Sequence, residues 1–160
     1  MLHADRTCPK GSVRVSVSNT AALGPQQQPV GVDAIVETAR LGAGRLGPLE
    51  TLAALARGAL VVDTRTESQR AEQGDLPGVL VIDRTVLEWR LDPRSDARIP
   101  EATSYDLEVV VLCRQGYSSS LAAASLRALG LWRATDLIGG VEAWQAAGLP
   151  FSDVPADVRR

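Results

Sequence analysis

One cysteine stands where a buried strand is predicted to pass into a helix through a short polar loop. The apolar run 109–112 precedes Cys113, and a helix rich in Ser, Ala and Leu is predicted over 119–129. Backbone N–H groups at such a junction point into the loop and bind anions. The same groups, with the positive end of the helix dipole, favour a thiolate over a thiol. The sequence therefore predicts a nucleophilic cysteine in an anion-binding loop.

The residues that follow Cys113 are predicted to bind the anionic group. Arg114 adds a cation beside the thiol, and Ser118 and Ser119 are expected to cap the following helix. Capping and anion binding use the same geometry, so one residue can serve both roles. The predicted binding residues are Arg114, Gln115, Gly116, Tyr117, Ser118 and Ser119.

Histidine and metal chemistry are not predicted for this chain. Its single histidine is His3, so a Cys–His dyad in the core is excluded. Its two cysteines, Cys8 and Cys113, lack the spacing of zinc ligands, and we predict neither a metal nor a cofactor. Cys8 is interpreted as an incidental thiol, with a resolving cysteine for Cys113 as the alternative.

Composition places the chain among ordinary globular proteins and narrows its partners. Hydrophobic residues make up 45% and charged residues 22% of its 160 residues. A net charge of -2 and an aromatic content of 4% argue against a nucleic-acid partner. No apolar run approaches the ~18–20 residues of a membrane span. The segment 13–17 is too short and too charged for a signal peptide, so we expect a cytoplasmic protein without a membrane partner.

Short apolar runs alternate with helical patterns along the chain. Runs without polar alternation, such as 59–63, are typical of strands buried on both faces of a parallel sheet. The sequence therefore predicts an α/β fold, with an open parallel β-sheet flanked by helices on both faces. The predicted strands are 59–63, 79–83, 109–112 and 133–138, and the predicted helices are 33–41, 49–57, 85–91, 119–129 and 141–147.

A single domain is predicted over 31–153. Residues 1–30 are rich in Pro, Gly and Gln, which is typical of a flexible N-terminal tail. Residues 154–160 are predicted to form a C-terminal tail. Asp33 is expected to cap the first helix of the domain.

Charged residues also follow the strand at 59–63. Ligands bind at the carboxyl ends of the strands in open α/β sheets, so Asp63 and Arg65 are expected near Cys113. Both are assigned supporting roles: Asp63 is expected to join neighbouring loops by hydrogen bonds, and Arg65 to pair with an acid. A further hypothesis directs Arg70 into the pocket as a second cation.

Three motifs in this order resemble the rhodanese family of sulfurtransferases. The resemblance runs over about residues 48–151, as a single copy of the domain. The motifs are Asp63-Thr64-Arg65 with the later turn Pro77-Gly78, the loop from Cys113 to Ser118, and Gly139-Gly140 with Trp144 before Gly148-Leu149-Pro150.

The resemblance implies a sulfur-transfer mechanism. Cys113 would attack the sulfane sulfur of a small anionic donor such as thiosulfate, hold it as a persulfide, and pass it to a thiol or cyanide acceptor. A protein is a further candidate acceptor. Thiolate attack on sulfur needs a low thiol pKa and access rather than a general base, which agrees with the missing core histidine.

Two other functions stay open from the sequence. One is a non-enzymatic sulfur carrier or protein-interaction module with the same fold. The other is a redox or arsenate-reducing thiol protein, which would need Cys8 as its second reactive cysteine.

Loop length and residue types separate this chain from relatives of other chemistry. Phosphatases of the superfamily have one more loop residue, and tyrosine phosphatases carry an arginine six positions after the cysteine, where this chain has Ser119. Thiosulfate-using members commonly have a second basic residue where this chain has Gln115, so thiosulfate binding is expected to be weaker. Tyr117 is expected to line the acceptor entrance.

Overall fold

A five-stranded parallel sheet organises the chain, in the strand order β4-β3-β1-β2-β5. The computed structural model describes residues 28–160. The predicted α/β fold, with helices on both faces of the sheet, is confirmed. In chain order the elements are α1 (Gly31–Arg40), α2 (Pro48–Ala56), β1 (Leu60–Asp63), α3 (Glu67–Gln73), β2 (Leu80–Ile82), α4 (Leu87–Leu91), β3 (Val109–Leu112), α5 (Ser118–Leu129), β4 (Ala134–Asp136), α6 (Gly140–Ala146) and β5 (Asp157–Arg159).

The strand register brings three functional groups to one edge of the sheet. Asp63 of β1 is paired with Leu112, the last residue of β3, and Asp136 of β4 is paired with Val111. All these strands are parallel, so their carboxyl ends meet at the same edge. Cys113, which follows β3 directly, therefore lies between two carboxylate-bearing strand ends.

Strand β3 is buried on both faces, because its side chains enter two separate hydrophobic clusters. Val109 and Val111 belong to the cluster that includes α4 and α5 residues, whereas Val110 and Leu112 belong to the cluster that includes α2 and α6 residues. This division follows from the two-residue period of a strand. Burial on both faces explains why β3 is a continuous apolar run in the sequence.

Helix α1 packs against α5 rather than against the sheet. The chain then crosses to the sheet edge, where Leu46 forms an isolated parallel bridge with Leu137 just beyond β4. The expected capping role of Asp33 was wrong. The helix begins two residues earlier, at Gly31, so Asp33 lies in its first turn, and the N-cap residue Val30 makes no side-chain cap hydrogen bond.

The prediction of a C-terminal tail over 154–160 was wrong, because residues 157–159 form β5 and pair in parallel with β2. This strand is short and largely exposed. Three residues at a sheet edge cannot display the two-residue alternation over 4–8 residues by which a strand is identified in a sequence. The sheet, and with it the folded unit, extends beyond the predicted limit at residue 153.

Other predicted boundaries differ from the observed ones by one or two residues, which is the usual disagreement at element ends. Helix α3, which follows β1, is not among the predicted helices. Most of the predicted tail at 1–30 lies outside the described residues, and so does Cys8. Within the described part of the chain, no helix is long and apolar enough to cross a membrane.

Candidate active site

The sulfur atom of Cys113 receives hydrogen bonds from the loop that follows it. The backbone N–H groups of Gly116 and Ser119 donate to Sγ at 3.2 and 3.4 Å. The thiol itself donates to the Ser119 Oγ at 3.2 Å. Once the thiol is ionised, that hydroxyl can reverse and donate to the sulfur. The loop is therefore built to hold a negative charge on Sγ.

The pKa of the Cys113 thiol lies below its ordinary value. Burial is the largest single influence and raises the pKa, because it penalises the thiolate. Hydrogen bonds from the Ser118 and Ser119 hydroxyls and from backbone amides of the loop act in the opposite direction and together outweigh burial. A lower pKa increases the thiolate fraction at neutral pH.

The carbonyl groups of the loop are held from outside, which leaves its N–H groups facing the sulfur. The Cys113 carbonyl accepts a hydrogen bond from the Val141 N–H at 2.9 Å, and the Arg114 carbonyl accepts one from the Glu142 N–H at 3.1 Å. Both donors lie in the first turn of α6, whose N–H groups have no partner within the helix. The N-terminus of α6 therefore anchors the beginning of the loop.

Glycines are required where α6 meets the loop. Gly140 has φ +60°, and an added Cβ would collide with the Cys113 carbonyl oxygen and lie 2.6 Å from the Arg114 carbonyl oxygen. Gly116 has φ +77°, and an added Cβ would lie 2.7 Å from the Gly139 backbone nitrogen. The glycine-rich turn before α6 thus has a physical function: it lets two backbones approach closely enough to hydrogen-bond.

The predicted helix-capping role of Ser118 and Ser119 was wrong. Helix α5 begins at Ser118, the N-cap residue is Tyr117, and no side chain caps the helix. The free N–H of Ser119 in the first turn is directed at Sγ instead. The Ser119 hydroxyl also lies 3.4 Å from Oδ2 of the buried Asp136, which joins the thiol to a carboxylate.

The charge of Arg114 is matched by two acids. Its guanidinium lies 3.0 Å from Glu142 and 3.2 Å from Glu72. The Gln115 side-chain amide also donates to Glu142, at 3.2 Å. The pKa of Glu142 is lowered by these hydrogen bonds, first from Arg114 and then from Gln115. Arg114 is therefore present at the loop but is not an unpaired cation.

A cavity of about 220 Å³ opens above the sulfur. It gives Cys113, which is buried, a route to small molecules. Four of the predicted binding residues line it, namely Arg114, Gln115, Tyr117 and Ser118, together with Thr64 and Gln69. Gly116 and Ser119 contact the sulfur itself.

This cavity, bounded by a strand end, a cysteine loop and a helix N-terminus, lies inside a recognised domain. Residues 48–147 match the model of the rhodanese-like domain. The chain belongs to the rhodanese-like family. The match begins at α2 and ends just after α6. The rhodanese-like domain therefore contains the cysteine loop with Gly116 and the turn Gly139-Gly140 before α6.

Relatives of the rhodanese-like domain include named sulfurtransferases. A sulfurtransferase of Allochromatium vinosum is 36% identical over 92 residues, which span 58% of this chain and 77% of that protein. The human single-domain sulfurtransferase TSTD1 is 26% identical with a TM-score of 0.54, over 66% of this chain and 97% of its own. The protein is thus a member of a sulfurtransferase family.

A third relative has a longer structural match. A protein of unknown function from Rhodopseudomonas palustris, described as a possible tyrosine phosphatase, is 29% identical with a TM-score of 0.70. The alignment covers 80% of this chain and 98% of that one. Because 80% exceeds the share matched by the family model, the likeness includes chain outside residues 48–147.

In this rhodanese-like domain, Asp63 and Arg65 pair with each other and do not line the cavity. Their side chains are almost fully buried, with Nη2 and Oδ2 2.7 Å apart. Arg65 also donates to the Gly74 carbonyl at 2.8 Å, which ties the end of β1 to the end of α3. The hypothesis that Arg70 enters the pocket was wrong, since Arg70 pairs with Asp75 and lies outside the cavity lining.

Asp63→Asn is expected to destabilise the fold by about 3–5 kcal/mol, because it leaves the Arg65 cation buried without a charged partner. Asp157→Asn is the matched control, since Asp157 also pairs with an arginine but is largely exposed, and a change below about 1 kcal/mol is expected there. Denaturant unfolding of both variants measures the difference. Equal losses would contradict the role assigned to the buried pair.

Three charged residues of the site were not predicted from the sequence. Asp136 lies behind Ser119, and Arg40 and Arg45 donate to the Gly116 carbonyl at 2.8 and 3.3 Å. A signal existed for Asp136, which ends a predicted strand at the same sheet edge as Cys113. The sequence contains no comparable signal for Arg40 and Arg45, because only the tertiary packing of residues 31–47 brings them to the loop.

Proposed function

We propose that this protein is a sulfurtransferase that carries a sulfane sulfur on Cys113 as a persulfide. The donor is a small sulfane compound such as thiosulfate, and the acceptor is a thiol or cyanide. The observation that supports this most strongly is the sulfur environment: two backbone amides and one hydroxyl converge on Sγ beneath an open cavity. A persulfide is an anion, and such donors stabilise it as they stabilise the thiolate.

The first half-reaction begins with the Cys113 thiolate. It attacks the outer sulfur of thiosulfate, a new S–S bond forms, and the bond to the inner sulfur breaks. Sulfite leaves with the electron pair of the broken bond, and the protein holds Cys113–S–S⁻. The ionised form of Cys113 is the nucleophile in this step, and the lowered pKa of the thiol increases the fraction of protein in that form.

The second half-reaction returns the loop to its starting state. An acceptor thiolate attacks the terminal sulfur of the persulfide, and the electrons of the Cys113 S–S bond return to Sγ as a thiolate. With cyanide the product is thiocyanate. Residues 114–119 bind the donor and then the persulfide, and Tyr117, which is more than half exposed, borders the path of the acceptor.

The charge at the cavity mouth bears on the choice of donor. Arg114 contributes one positive charge, and its partners Glu72 and Glu142 contribute two negative charges. Apart from the Cys113 thiolate, the other lining residues carry no charged side chain. Thiosulfate carries two negative charges, so this mouth disfavours it relative to a sulfane donor with less negative charge.

Glu142→Gln is expected to raise kcat/KM for thiosulfate about two- to fivefold at low salt, because it releases Arg114 from one exposed ion pair. The control is Glu108→Gln, which removes a carboxylate with two arginine partners just before β3, at the opposite edge of the sheet. Steady-state assays at two salt concentrations check this. An unchanged or reduced kcat/KM for thiosulfate would show that Glu142 does not limit donor binding.

Phosphate-ester hydrolysis is not supported by the same loop. The position that carries the phosphate-clamping arginine in tyrosine phosphatases is Ser119 here, and its hydroxyl is occupied by the thiol and Asp136. The one arginine of the loop is tied to two acids. A bidentate clamp on a phosphoryl group would have to break those pairs.

Sulfur-transfer turnover tests the proposal directly. Purified protein is assayed with thiosulfate or an alkyl persulfide as donor and with cyanide or a small thiol as acceptor. Turnover with at least one donor–acceptor pair, and none with a phosphate monoester, is expected. Sulfur loading without turnover would instead indicate the sulfur-carrier alternative.

A further inference from the structure

Residues 31–47 lie before the family domain and yet reach the cysteine loop. They comprise α1 and the segment that bridges to the edge of β4, and the family match begins only at residue 48. Arg40 ends α1, and Arg45 lies next to the bridging residue Leu46. Both guanidinium groups point at the same atom of the loop, the carbonyl oxygen of Gly116.

The Gly116 carbonyl is surrounded by donors. Arg40 Nη2 donates to it at 2.8 Å and Arg45 Nη2 at 3.3 Å, and the Ser120 hydroxyl lies 3.1 Å away. Arg40 Nε also donates to the Ser120 Oγ at 3.1 Å, and its guanidinium lies 5.3 Å from the centre of the Tyr117 ring. Arg40 therefore contacts three residues where the loop passes into α5, namely Gly116, Tyr117 and Ser120.

The direction of this carbonyl determines where the neighbouring amide points. A trans peptide unit directs its C=O and the following N–H to opposite sides, so holding the Gly116 carbonyl toward the arginines directs the Tyr117 N–H away from them. On the other side of Gly116, its own N–H donates to the Cys113 sulfur. The N–H and the carbonyl of Gly116 belong to adjacent peptide units joined at its Cα, so the two arginines hold the residue whose N–H donates to the sulfur, as the N-terminus of α6 holds the Cys113 and Arg114 carbonyls.

Both arginines are themselves held in place. The Arg127 guanidinium of α5 donates to the Ala39 carbonyl at 2.6 Å, which ties the end of α1 to α5. Leu46 exchanges backbone hydrogen bonds with the sheet edge, donating to the Asp136 carbonyl and accepting from the Ile138 N–H. Arg45 then forms a two-point ion pair with Asp136, at 2.9 and 3.0 Å.

We infer that Arg40 and Arg45 are positioning residues, which hold the cysteine loop in the form whose amides face the sulfur. They act through the Gly116 carbonyl and do not touch Cys113 itself. Asp136 belongs to the same unit, because it pairs with Arg45 and approaches the hydroxyls of Ser119 and Ser120. A segment outside the family domain would therefore set the reactivity of the cysteine inside it.

Other charged groups near the loop must be held constant in a test. They are Arg114 of the loop, Glu72 of α3, Glu142 of α6, Asp136 of β4 and the pair Asp63–Arg65 at the end of β1. Substitutions confined to Arg40 leave all of these in place. Arg45 is less suitable for the first test, because its removal also leaves the buried Asp136 without its ion-pair partner.

The test is the thiol pKa of Cys113 in Arg40→Met, Arg40→Lys and the control Arg57→Met, all in a Cys8→Ser background. Arg57 is an exposed arginine at the end of α2, paired with Glu108 away from the loop. The pKa is measured from the pH dependence of alkylation by iodoacetamide. Arg40→Met is expected to raise it by about one pH unit, Arg40→Lys by less, and Arg57→Met by nothing measurable.

A merely structural role gives a different result. If Arg40 only stabilises α1, Arg40→Met lowers the melting temperature while the thiol pKa stays at the value of the parent protein, and that outcome overturns the inference. Alkylation requires no sulfur donor, although the inference concerns the loop of the proposed sulfurtransferase. A raised pKa in a protein that accepts no sulfur supports this inference while the proposed function fails.

Discussion

Cys113→Ser is expected to lower sulfur transfer at least about a thousandfold, to the uncatalysed background. A serine hydroxyl stays protonated at neutral pH, and its oxygen cannot accept a sulfane sulfur as a persulfide. The variant is also expected to fold, because a serine hydroxyl can accept the hydrogen bonds that the Gly116 and Ser119 N–H groups donate to Sγ and can donate to the Ser119 Oγ as the thiol does. Thiocyanate formation from thiosulfate and cyanide measures the loss.

Cys8→Ser is the matched control for this substitution. It removes the other cysteine of the chain and is expected to leave turnover within about twofold of the parent protein. A large loss in Cys8→Ser with little loss in Cys113→Ser would reverse the assignment. Comparable losses in both variants would instead favour a redox thiol protein with a resolving cysteine.

Gly140→Ala is expected to reduce activity by about tenfold to a hundredfold, because the added methyl group pushes the Cys113 and Arg114 carbonyls away from α6. The obstacle is backbone, which cannot rotate aside as a flexible side chain would. The same substitution is expected to cost about 1–3 kcal/mol of stability through overpacking, in addition to the strain of an alanine at φ +60°. Turnover and denaturant unfolding are measured on the same samples.

Gly148→Ala is the control that separates the steric collision of an added methyl group from the backbone strain of an alanine at positive φ. Gly148 has φ +66°, close to that of Gly140, but an added Cβ meets nothing within 4 Å. We expect Gly148→Ala to lose some stability and to keep its activity. If both variants lost the same activity, the contact between α6 and the loop carbonyls would not be what positions the loop.

The fold was predictable where burial leaves a mark on the sequence. Strands β1 and β3 are apolar runs because both faces of the sheet are covered. Such runs can be identified in the sequence without knowing which strands pair with them. Strand β5 has one residue of three with an apolar side chain and lies at an edge, so neither its length nor its pattern marks it. Its pairing with β2 depends on tertiary structure.

Only the part of the candidate site that is contiguous with Cys113 in the sequence could be predicted. The loop after Cys113 was identified because strand, glycine-containing loop and helix are contiguous in the sequence. Arg40 and Asp136 are separated from Cys113 by 73 and 23 residues, and only the packing of α1 and β4 joins them to the loop. The counter-charges on Arg114 come from α3 and α6 and were likewise hidden.

The proposed mechanism and the arrangement of the loop amides both require that Cys113 can carry an additional sulfur atom. The decisive measurement is the intact mass of the reduced protein after incubation with thiosulfate, an alkyl persulfide and polysulfide, each in turn. We expect a gain of one sulfur atom per chain with at least one donor, located on the Cys113 peptide and removed by cyanide. No added sulfur from any of the three donors, or sulfur found only on Cys8, would contradict the proposal.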